Sequence, residues 1–320
     1  NKIIFTEALE ADITFRGIEA DKKFVTVPLV DGVNNIKAVV INSDGIESIP
    51  SNLIVTRTGE VLKPNLYILT LGINKYMNPS YNLNHSVNDA EAFGNVLQER
   101  STELFGEIIV EELIDEAVTK EGVKKKMEAL IEKITMNDVF VFFYAGHGVL
   151  GESIESAEQE FFMVLHDLTN LYGGAALLSE KGFSAKELFD YSLQIQAQKQ
   201  LYVIDACHSG GALNTIAKRG NEREKIIAQL ARTSGTYYLT ASQSQEYANE
   251  SSGLNHGLFT YAILEILAGD LGDFGDEISV AEIKSYVEKR VPELSEEHQG
   301  SPQYPTGYAF GQDFPLVLSK

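Results

Sequence analysis

The sequence predicts an α/β protein with a doubly wound, mostly parallel β-sheet that carries helices on both faces and is preceded by a smaller β-rich segment. From Leu66 onward, short apolar runs alternate with stretches of helical periodicity, the pattern of parallel strands joined by crossover helices. Two of those runs, Val139–Tyr144 and Leu201–Ile204, are apolar or aromatic at every position, as strands buried on both faces are. Before Arg57 the chain instead consists of β-rich runs separated by turn residues.

Residues 1–63 are assigned to the β-rich segment and its linker. Short runs predict strands at Ile3–Phe5, Ile13–Phe15, Phe24–Leu29, Ile36–Ile41 and Leu53–Val55. Pro28 places one of them at a sheet edge, because proline has no backbone N–H to donate. The segment resembles the end of an immunoglobulin-like sandwich, but it has fewer strands than the usual number of about seven. We therefore expect an accessory β-domain, a linker at Arg57–Pro64, and a second domain at residues 64–320.

The periodic pattern of the second domain predicts alternating strands and helices. The strands are expected at Leu66–Ile73, Glu107–Ile114, Val139–Ala145, Leu201–Asp205 and Thr236–Ala241. The helices are expected at Asn88–Arg100, Glu121–Ile134, Ala185–Gln196, Glu222–Ala231, Gly257–Leu267 and Val280–Val291.

Local signals add detail to this pattern. Two of the predicted helices begin with a capping box, Ser184 with Glu187 and Ser279 with Glu282, in which each side chain bonds to the other residue's backbone N–H. Phe161–His166 is expected to contribute a strand to a surface hairpin. The aromatic tail at Gln303–Leu318 is expected to run extended along the sheet edge.

Composition excludes several classes of function. The formal net charge of −20 argues against binding to nucleic acid, whose phosphates attract basic surfaces. No apolar run approaches the roughly 20 residues of a membrane helix and no leader peptide is visible, so we expect no membrane insertion and favour the cytoplasm. The single cysteine excludes an internal disulfide. Because the chain starts at Asn1 within a strand-like stretch, we expect it to be part of a longer protein or complex.

Two predicted strand ends carry residues suited to nucleophilic chemistry. Leu201–Gly211 reads LYVIDACHSGG and brings the only cysteine, Cys207, to a glycine-rich turn. Asp138–Gly148 reads DVFVFFYAGHG and brings His147 to the corresponding position of another strand. A thiol attacks as the thiolate, and a nearby imidazole can take its proton and later return it to the leaving amine. A lone cysteine is more often a buried structural thiol, so the catalytic interpretation depends on the histidine.

The two motifs, Tyr144–Gly148 (YAGHG) and Asp205–Gly210 (DACHSG), resemble those of the caspase superfamily, in particular metacaspases and their prokaryotic relatives. The resemblance covers the chain from about Pro64 to its C-terminus. It implies a caspase-like fold and a cysteine endopeptidase that acts on proteins or peptides. The family's Cys/His dyad, which works through a thioester acyl-enzyme, corresponds to Cys207 and His147.

The resemblance also implies a pocket for P1, the residue that precedes the scissile bond. Asn88–Ala90 (NDA) resembles the metacaspase motif whose acid helps to form this pocket, and Asp205 matches the second pocket acid. Caspases that cleave after aspartate use an arginine in the first loop, yet Leu83–Ala92 contains neither arginine nor lysine. Asp89 and Asp205 therefore predict a basic P1 residue, with Arg preferred to Lys because its planar fork of donors suits carboxylates.

Other residues complete the predicted site. Backbone N–H groups of Gly148 and Cys207 are expected to hold the oxyanion, because a glycine after the histidine allows close approach. Ser242, at the end of the last predicted strand, is expected to lie beside the substrate. Simpler interpretations remain for the acids: Asp89 as a charge favoured at a helix N-terminus and Asp205 as a turn residue after a strand.

The polar run Asn214–Lys225 follows the predicted nucleophile and is a candidate processing loop, although an exposed helix start explains its composition as well. Self-cleavage would fall after one of its basic residues, Lys218, Arg219, Arg223 or Lys225.

No metal or other cofactor is expected. The spacings of His85, His166, His256 and His298 do not suit a metal site, which leaves solvated or packed side chains. Ala145 stands where many metacaspases have serine, and the acids that bind activating calcium in many of them have no clear counterpart, so calcium activation stays open.

Two other functions remain as alternatives. One is a catalytically silent member of the fold that uses the groove to bind a partner, and the other is an esterase or acyl-transfer enzyme. The intact Cys207 and His147 argue against the first, and the acidic pocket argues mildly against the second.

Overall fold

In a computed structural model, the chain forms two compact units, Asn1–Val61 and Leu62–Lys320. The structure describes residues 29, 32–39, 48–58, 63–152, 159–171, 173–206, 235–241, 250–251, 254–269, 275–299 and 303–319. The strands predicted at Ile3–Phe5 and Ile13–Phe15, the strand predicted at Phe24–Leu29 except for its last residue, and the helix predicted at Glu222–Ala231 lie outside these residues.

The described part of the first unit is an antiparallel pair of strands, β1 (Gly32–Ala38) and β2 (Ser51–Arg57). The strand predicted at Ile36–Ile41 starts and ends earlier, and the one predicted at Leu53–Val55 lies inside β2. The Arg57 guanidinium donates to the carbonyl oxygen of Leu29 at 3.0 Å, which ties β2 to the chain before β1.

The second unit contains the remaining elements. Its strands are β3 (Leu66–Gly72), β4 (Ile108–Ile114), β5 (Val139–Ala145), β6 (Gly148–Glu152), β7 (Gln159–Met163), β8 (Phe183–Ser184), β9 (Lys199–Asp205), β10 (Gly235–Thr240), β11 (Glu250–Ser251), β12 (His256–Gly257), β13 (Glu277–Ser279), β14 (Thr306–Phe310) and β15 (Pro315–Leu318). Its α-helices, in the described ranges, are α1 (Ser86–Arg100), α2 (Lys120–Lys133), α3 (Ala175–Lys181), α4 (Ala185–Gln194), α5 (Leu258–Leu267) and α6 (Val280–Gln299).

The central sheet has six strands in the order β14-β10-β9-β5-β3-β4. All neighbours are parallel except β10 and β14, which are antiparallel. The chain goes from β3 to one side as β4 and then returns to the other side as β5, so the strand order reverses between β3 and β5. In sheets of this kind, ligands bind beyond the carboxyl ends of the strands at such a reversal. The predicted doubly wound, mostly parallel sheet is confirmed.

Apolar side chains cover both faces of the sheet, because successive residues of a strand point to opposite sides. In β5, Phe140, Phe142 and Tyr144 belong to one buried cluster, whereas Val141 and Phe143 belong to the other. Helices α2, α3 and α4 contribute to the first cluster, and α1, α5 and α6 contribute to the second. Burial on both sides explains why β5 is a continuous apolar run rather than an alternating one.

Helix α1 packs directly against the end of β3. A Cβ atom at Gly72 would lie 2.6 Å from the carbonyl oxygen of Ser86 and 2.9 Å from the Cα of Val87. Glycine at the end of β3 therefore lets the first turn of α1, which contains Asp89, lie against the edge of the sheet.

Several local predictions are confirmed. Ser184 and Glu187 form a complete capping box at the start of α4. At the start of α6, the Ser279 and Glu282 side chains accept from each other's backbone N–H groups at 3.3 and 2.8 Å. The C-terminal tail runs extended, and β14 pairs with β10 as an edge strand of the central sheet.

Three local features differ from the predictions. Phe161–His166 was expected to form a strand of a surface hairpin. The hairpin is present as β6 and β7, but β7 ends at Met163, pairs with β8 as well, and includes the fully buried Phe161, so it does not lie on the surface. Helix α6 continues past Pro292, although a proline usually marks a helix end; the burial of Leu294 and Ser295 shows that this last part of α6 is packed in the core. Helix α3 was not predicted, because its seven residues hold too little periodic pattern.

Among the described residues, no helix combines the length and apolar character needed to cross a bilayer.

Candidate active site

The structure describes four of the residues predicted for the site: His147, Gly148, Asp89 and Asp205. The others lie outside the described residues, namely Cys207, Ser242, Lys218, Arg219, Arg223 and Lys225.

Strands β5 and β9 are parallel neighbours and end at the same level. Ala145 pairs with Asp205 at the end of both strands, and the Gly146 N–H donates to the Asp205 carbonyl oxygen at 3.1 Å. His147 follows Ala145 by the same number of residues as Cys207 follows Asp205. The sheet register therefore brings Ala145 and Asp205, the strand ends from which the two motifs continue, to one edge of the sheet.

The His147 ring is oriented by a backbone carbonyl from the loop after β3. Its Nε2 lies 2.8 Å from the carbonyl oxygen of Tyr81. A carbonyl oxygen can only accept, so Nε2 must carry a proton. In the neutral ring the lone pair is then on Nδ1, which makes Nδ1 the atom that can act as a base.

Two tyrosines hold the backbone of His147. Its N–H donates to the Tyr76 hydroxyl at 2.9 Å, and its carbonyl oxygen accepts from the Tyr144 hydroxyl at 2.7 Å. The Tyr144 hydroxyl also lies 2.9 Å from the carbonyl oxygen of Val164. The Tyr76 and His147 rings are packed with centroids 5.2 Å apart. Tyr76 and Tyr144 are both buried, so the backbone of His147 is hydrogen-bonded to side chains of the core.

The N–H group of Gly148 takes no part in the pairing of β6 with β7. Gly148 is opposite Met163 in the antiparallel pair of β6 and β7, and the Val164 N–H donates to the His147 carbonyl oxygen at 2.9 Å. In this pattern the opposed residues are of the type that exchange no backbone hydrogen bonds. The Gly148 N–H is therefore not used in the pairing with β7.

The two predicted pocket acids converge on Gly257. A Cβ atom there would lie 2.9 Å from Oδ2 of Asp205 and 3.3 Å from Oδ2 of Asp89. The acids come from α1 and β9, and the glycine precedes α5. The convergence of the two carboxylates therefore comes from the packing of distant parts of the chain.

Asp89 is buried, with 3% of its surface exposed, and is paired to a histidine. Its Oδ1 lies 2.6 Å from Nδ1 of His256, and its Oδ2 accepts from the Gly257 N–H at 3.1 Å. Burial raises the pKa of the Asp89 carboxyl, while the bonds from His256 and Gly257 act in the opposite direction. Asp89 lies in the first turn of α1, as its simpler interpretation supposes, but its carboxylate bonds to the segment before α5.

Asp205 is half-buried, and its Oδ2 accepts from the Thr260 hydroxyl at 2.5 Å. Thr260 is itself buried in the first turn of α5. His256, Gly257 and Thr260 thus hold both acids, and none of the three was singled out as functional from the sequence. Their contacts with Asp89 and Asp205 span 55 to 168 positions of the chain, and no local pattern signals them.

The interpretation of His166 and His256 as packed side chains agrees with their contacts. Nδ1 of His166 lies 2.7 Å from the carbonyl oxygen of Lys75, and His256 is paired to Asp89. Within the described part of the chain, no group of three or more His, Cys, Asp or Glu residues is arranged to hold a metal ion.

Comparison with known proteins gives a family and a fold. The family model of the caspase domain matches residues 67–311. The fold is similar to that of protein GSU0716 from Geobacter sulfurreducens, at a TM-score of 0.55 and 18% identity, covering 80% of this chain and 97% of that chain. It is also similar to caspase-1 from Spodoptera frugiperda, at a TM-score of 0.52 and 13% identity, covering 81% and 91%. A search of curated proteins found no match.

Proposed function

Because this chain belongs to the caspase family of cysteine peptidases, we propose that it is a cysteine endopeptidase that cleaves proteins or peptides after basic residues, using Cys207 and His147. The observation that carries the proposal is the contact between Nε2 of His147 and the Tyr81 carbonyl oxygen, since it leaves Nδ1 as the base. The position of the carboxyl end of β9 beside β5 adds support, because Cys207 is the second residue after β9 in the sequence.

In the proposed reaction, Nδ1 of His147 takes the thiol proton of Cys207, and the thiolate attacks the carbonyl carbon of the scissile bond. The tetrahedral intermediate collapses as the imidazolium returns the proton to the departing amine, which leaves a thioester. His147 then takes a proton from water, and the resulting hydroxide attacks the thioester carbonyl carbon. The C–S bond breaks, the carboxyl product leaves, and the imidazolium returns its proton to the thiolate of Cys207. Throughout, the Tyr81 carbonyl oxygen stabilises the imidazolium by accepting from Nε2.

The oxyanion of each tetrahedral intermediate is proposed to bind the N–H groups of Gly148 and Cys207. The pairing of β6 with β7 supports this role for Gly148, because its N–H is not used between those strands. The geometry required is a donor within about 2.7–3.1 Å of the oxyanion rather than of the ground-state carbonyl oxygen.

Specificity is proposed to come from Asp89 and Asp205, with Ser242 beside the substrate. The convergence of both carboxylates on Gly257 supports this, and Asp205 is the more exposed of the two acids. An arginine at P1 can bond carboxylates through its fork of donors, whereas lysine offers a single point charge. An acidic P1 residue would add a third negative charge in a partly dehydrated pocket and should be rejected. We also propose that the chain belongs to the prokaryotic metacaspase-like branch, and the pair of pocket acids supports this.

We further propose that the active chain cleaves itself within Asn214–Lys225, after one of Lys218, Arg219, Arg223 or Lys225, with no cofactor required. The run is polar, basic and close in sequence to the nucleophile, which favours access of an active site to it. Intact-mass measurement of the wild type beside Cys207→Ala should show two fragments in the wild type alone, with EDTA present. A wild-type chain that stays whole contradicts self-cleavage, and fragments that form solely when Ca²⁺ is added contradict the cofactor proposal.

The decisive experiment uses fluorogenic peptides that differ only at P1. We expect cleavage after Arg, then Lys, and none after Asp or Leu, with Cys207→Ala and His147→Ala folded and inactive. Asp205→Ala should lose about 2 kcal/mol or more of transition-state binding for Arg peptides, a factor of about 30 in kcat/KM. Asp190→Ala is the matched control, because that carboxylate pairs with Lys186 on α4 away from the acids.

Several outcomes would contradict the proposal. Full activity of Cys207→Ala or His147→Ala would contradict the catalytic dyad. Cleavage after Asp or Leu as readily as after Arg would contradict the acidic P1 pocket. Hydrolysis of thioesters or esters without hydrolysis of amides would favour the acyl-transfer alternative. A well-folded wild type that binds peptides but cleaves none would favour the silent binding module.

A further inference from the structure

We propose that Asp115 is a positioning residue for His147, acting through the loop that carries Tyr76 and Tyr81. The inference rests on the proposed role of His147 as the base of a peptidase. The Asp115 side chain bonds to Asn74 and Lys75, and a series of further hydrogen bonds joins these residues to His147.

Asp115 has an unusual backbone conformation immediately after β4. Its φ of +48° lies in the left-handed region, which costs conformational energy for any residue with a Cβ and persists where the surroundings favour it. Its Oδ1 accepts two backbone N–H groups, from Asn74 at 2.8 Å and from Lys75 at 2.9 Å. The strained backbone thus places one carboxylate oxygen against two successive amides of the loop after β3. Hydrogen bonds to an ionised acceptor are stronger than those between neutral groups.

Asn74 forms hydrogen bonds to the far end of the loop that follows β3. Its carbonyl oxygen accepts from the Leu83 N–H at 2.9 Å, and its side-chain oxygen accepts from the Val87 N–H at 3.1 Å. Its side-chain amide donates to the Asn84 carbonyl oxygen at 3.2 Å. Both ends of the loop therefore meet at Asn74, and Asp115 holds the backbone on either side of it.

The part of the loop that is closed in this way carries both contacts to His147. The Tyr76 hydroxyl accepts from the His147 N–H, and the Tyr81 carbonyl oxygen faces Nε2. The Tyr76 N–H donates to the Asn82 side chain at 2.9 Å, so the two halves of the loop are also joined to each other. A shift of the backbone at Asn74 must therefore move the carbonyl that selects the tautomer of His147.

Loss of the Asp115 carboxylate should loosen this carbonyl contact. Without it, His147 can adopt the tautomer that has the proton on Nδ1, which cannot accept the thiol proton. Substrate binding involves a different part of the site, so we expect kcat to fall and KM to change little. A positioning error of about 1 Å can lower catalysis by about a hundredfold.

Two substitutions distinguish the effect of losing the acceptor oxygen of Asp115 from the effect of relieving its backbone strain. Asp115→Asn keeps an acceptor oxygen in the same place and tolerates the left-handed region well. Asp115→Gly relieves the strain but removes the acceptor. We expect Asp115→Asn to retain kcat within about threefold and Asp115→Gly to lose at least about tenfold, with KM within about twofold in both.

The tautomer itself provides a readout that does not need peptide hydrolysis. In the full chain labelled with ¹⁵N-histidine, NMR distinguishes a protonated Nε2 from a protonated Nδ1, and His147→Gln identifies the resonance. When the ring is neutral, the wild type and Asp115→Asn should carry the proton on Nε2, and Asp115→Gly should show a mixture. If the wild type hydrolyses no peptide, the proposed function fails while this measurement still decides the role of Asp115.

The proposal would be overturned if Asp115→Gly kept the proton of His147 on Nε2 and had an unchanged kcat. Equal losses of kcat in Asp115→Asn and Asp115→Gly would also overturn it. Should Asp115→Gly not fold, hydrogen exchange in the wild type decides: the amides of Asn74 and Lys75 must be protected. Exchange at the rate of unprotected backbone would overturn the proposal without any variant.

Discussion

At the scale of single residues, the segment His256–Thr260 is what brings the two predicted pocket acids into one place. His256 and the Gly257 N–H bond to Asp89, and the Thr260 hydroxyl bonds to Asp205. Burial raises the pKa of the Asp89 carboxyl and so favours its protonated form. Paired with His256, it has a donor that favours the ionised form, so the charge of the pocket depends on this contact.

Gly257→Ala should test that arrangement. The added methyl group would lie 2.9 Å from Oδ2 of Asp205 and 3.3 Å from Oδ2 of Asp89, so one of the acids must move. Overpacking of this kind costs about 1–3 kcal/mol. We expect a lower Tm and at least a tenfold loss of kcat/KM on Arg peptides.

Gly275→Ala is the matched control for this substitution, because a methyl group there would meet nothing within 4 Å. Its Tm and activity should be those of the wild type. Unchanged cleavage of Arg peptides by Gly257→Ala would show that the two acids do not form the P1 pocket.

At the scale of elements, helix α4 is joined to α2 through its first turn. Glu187 completes the capping box with Ser184 and also contacts Nζ of Lys120 at 2.9 Å and of Lys124 at 3.2 Å. Lys120 is buried and donates to the Ser179 carbonyl oxygen at the end of α3. One helix start therefore holds three helices on the same face of the sheet.

Ser184→Ala should lower the free energy of unfolding by about 1 kcal/mol, because the N–H of Glu187 loses its acceptor. Neither Ser184 nor Glu187 is among the predicted site residues, so kcat/KM should change by less than about twofold. Urea unfolding monitored by circular dichroism measures the difference. Ser279→Ala, at the capping box of α6, serves as the comparison and should behave in the same way. No loss of stability in either variant would contradict the contribution of the capping boxes.

At the scale of the whole molecule, the catalytic interpretation concerns the second unit. Among the residues that the structure describes, every member of the two buried apolar clusters lies at or after Leu66. The C-terminal tail belongs to this core, because Leu316 and Val317 of β15 are fully buried. We therefore propose residues 64–320 as a domain that folds by itself.

Removal of residues 1–63 should leave Tm within a few degrees of the full chain and kcat/KM within about twofold, as differential scanning calorimetry and peptide assays can show. Removal of residues 303–320 is the contrasting truncation. It takes away β14, the edge partner of β10, and the buried residues of β15, so this truncated chain should be insoluble or unfolded. Loss of folding without residues 1–63 would contradict the domain division.

Much of the fold follows from residue pattern alone. Val139–Ala145 is the strand predicted, because burial on both faces requires apolar side chains at every position. Ser184 and Ser279 mark their helix starts through local chemistry that spans a few residues. His147 was singled out for the same reason: its type and its position after an apolar strand are visible in the sequence. Helix α3 and the last part of α6 were missed, since a short helix has little periodicity and Pro292 normally ends one.

Tertiary structure decided the contacts that give those residues their chemistry. The sequence named Asp89 and Asp205 but could not show that Gly257 lies between them. Nor could it show three contacts: Tyr81 with His147, Asp89 with His256, and Asn74 with Asp115. These pairs are 66, 167 and 41 positions apart in the chain. A backbone carbonyl is the same in every residue type, and a pairing between distant segments depends on how strands and helices pack. Residue identity therefore determined which groups could act, and the packing of the sheet and its loops determined which atoms they meet.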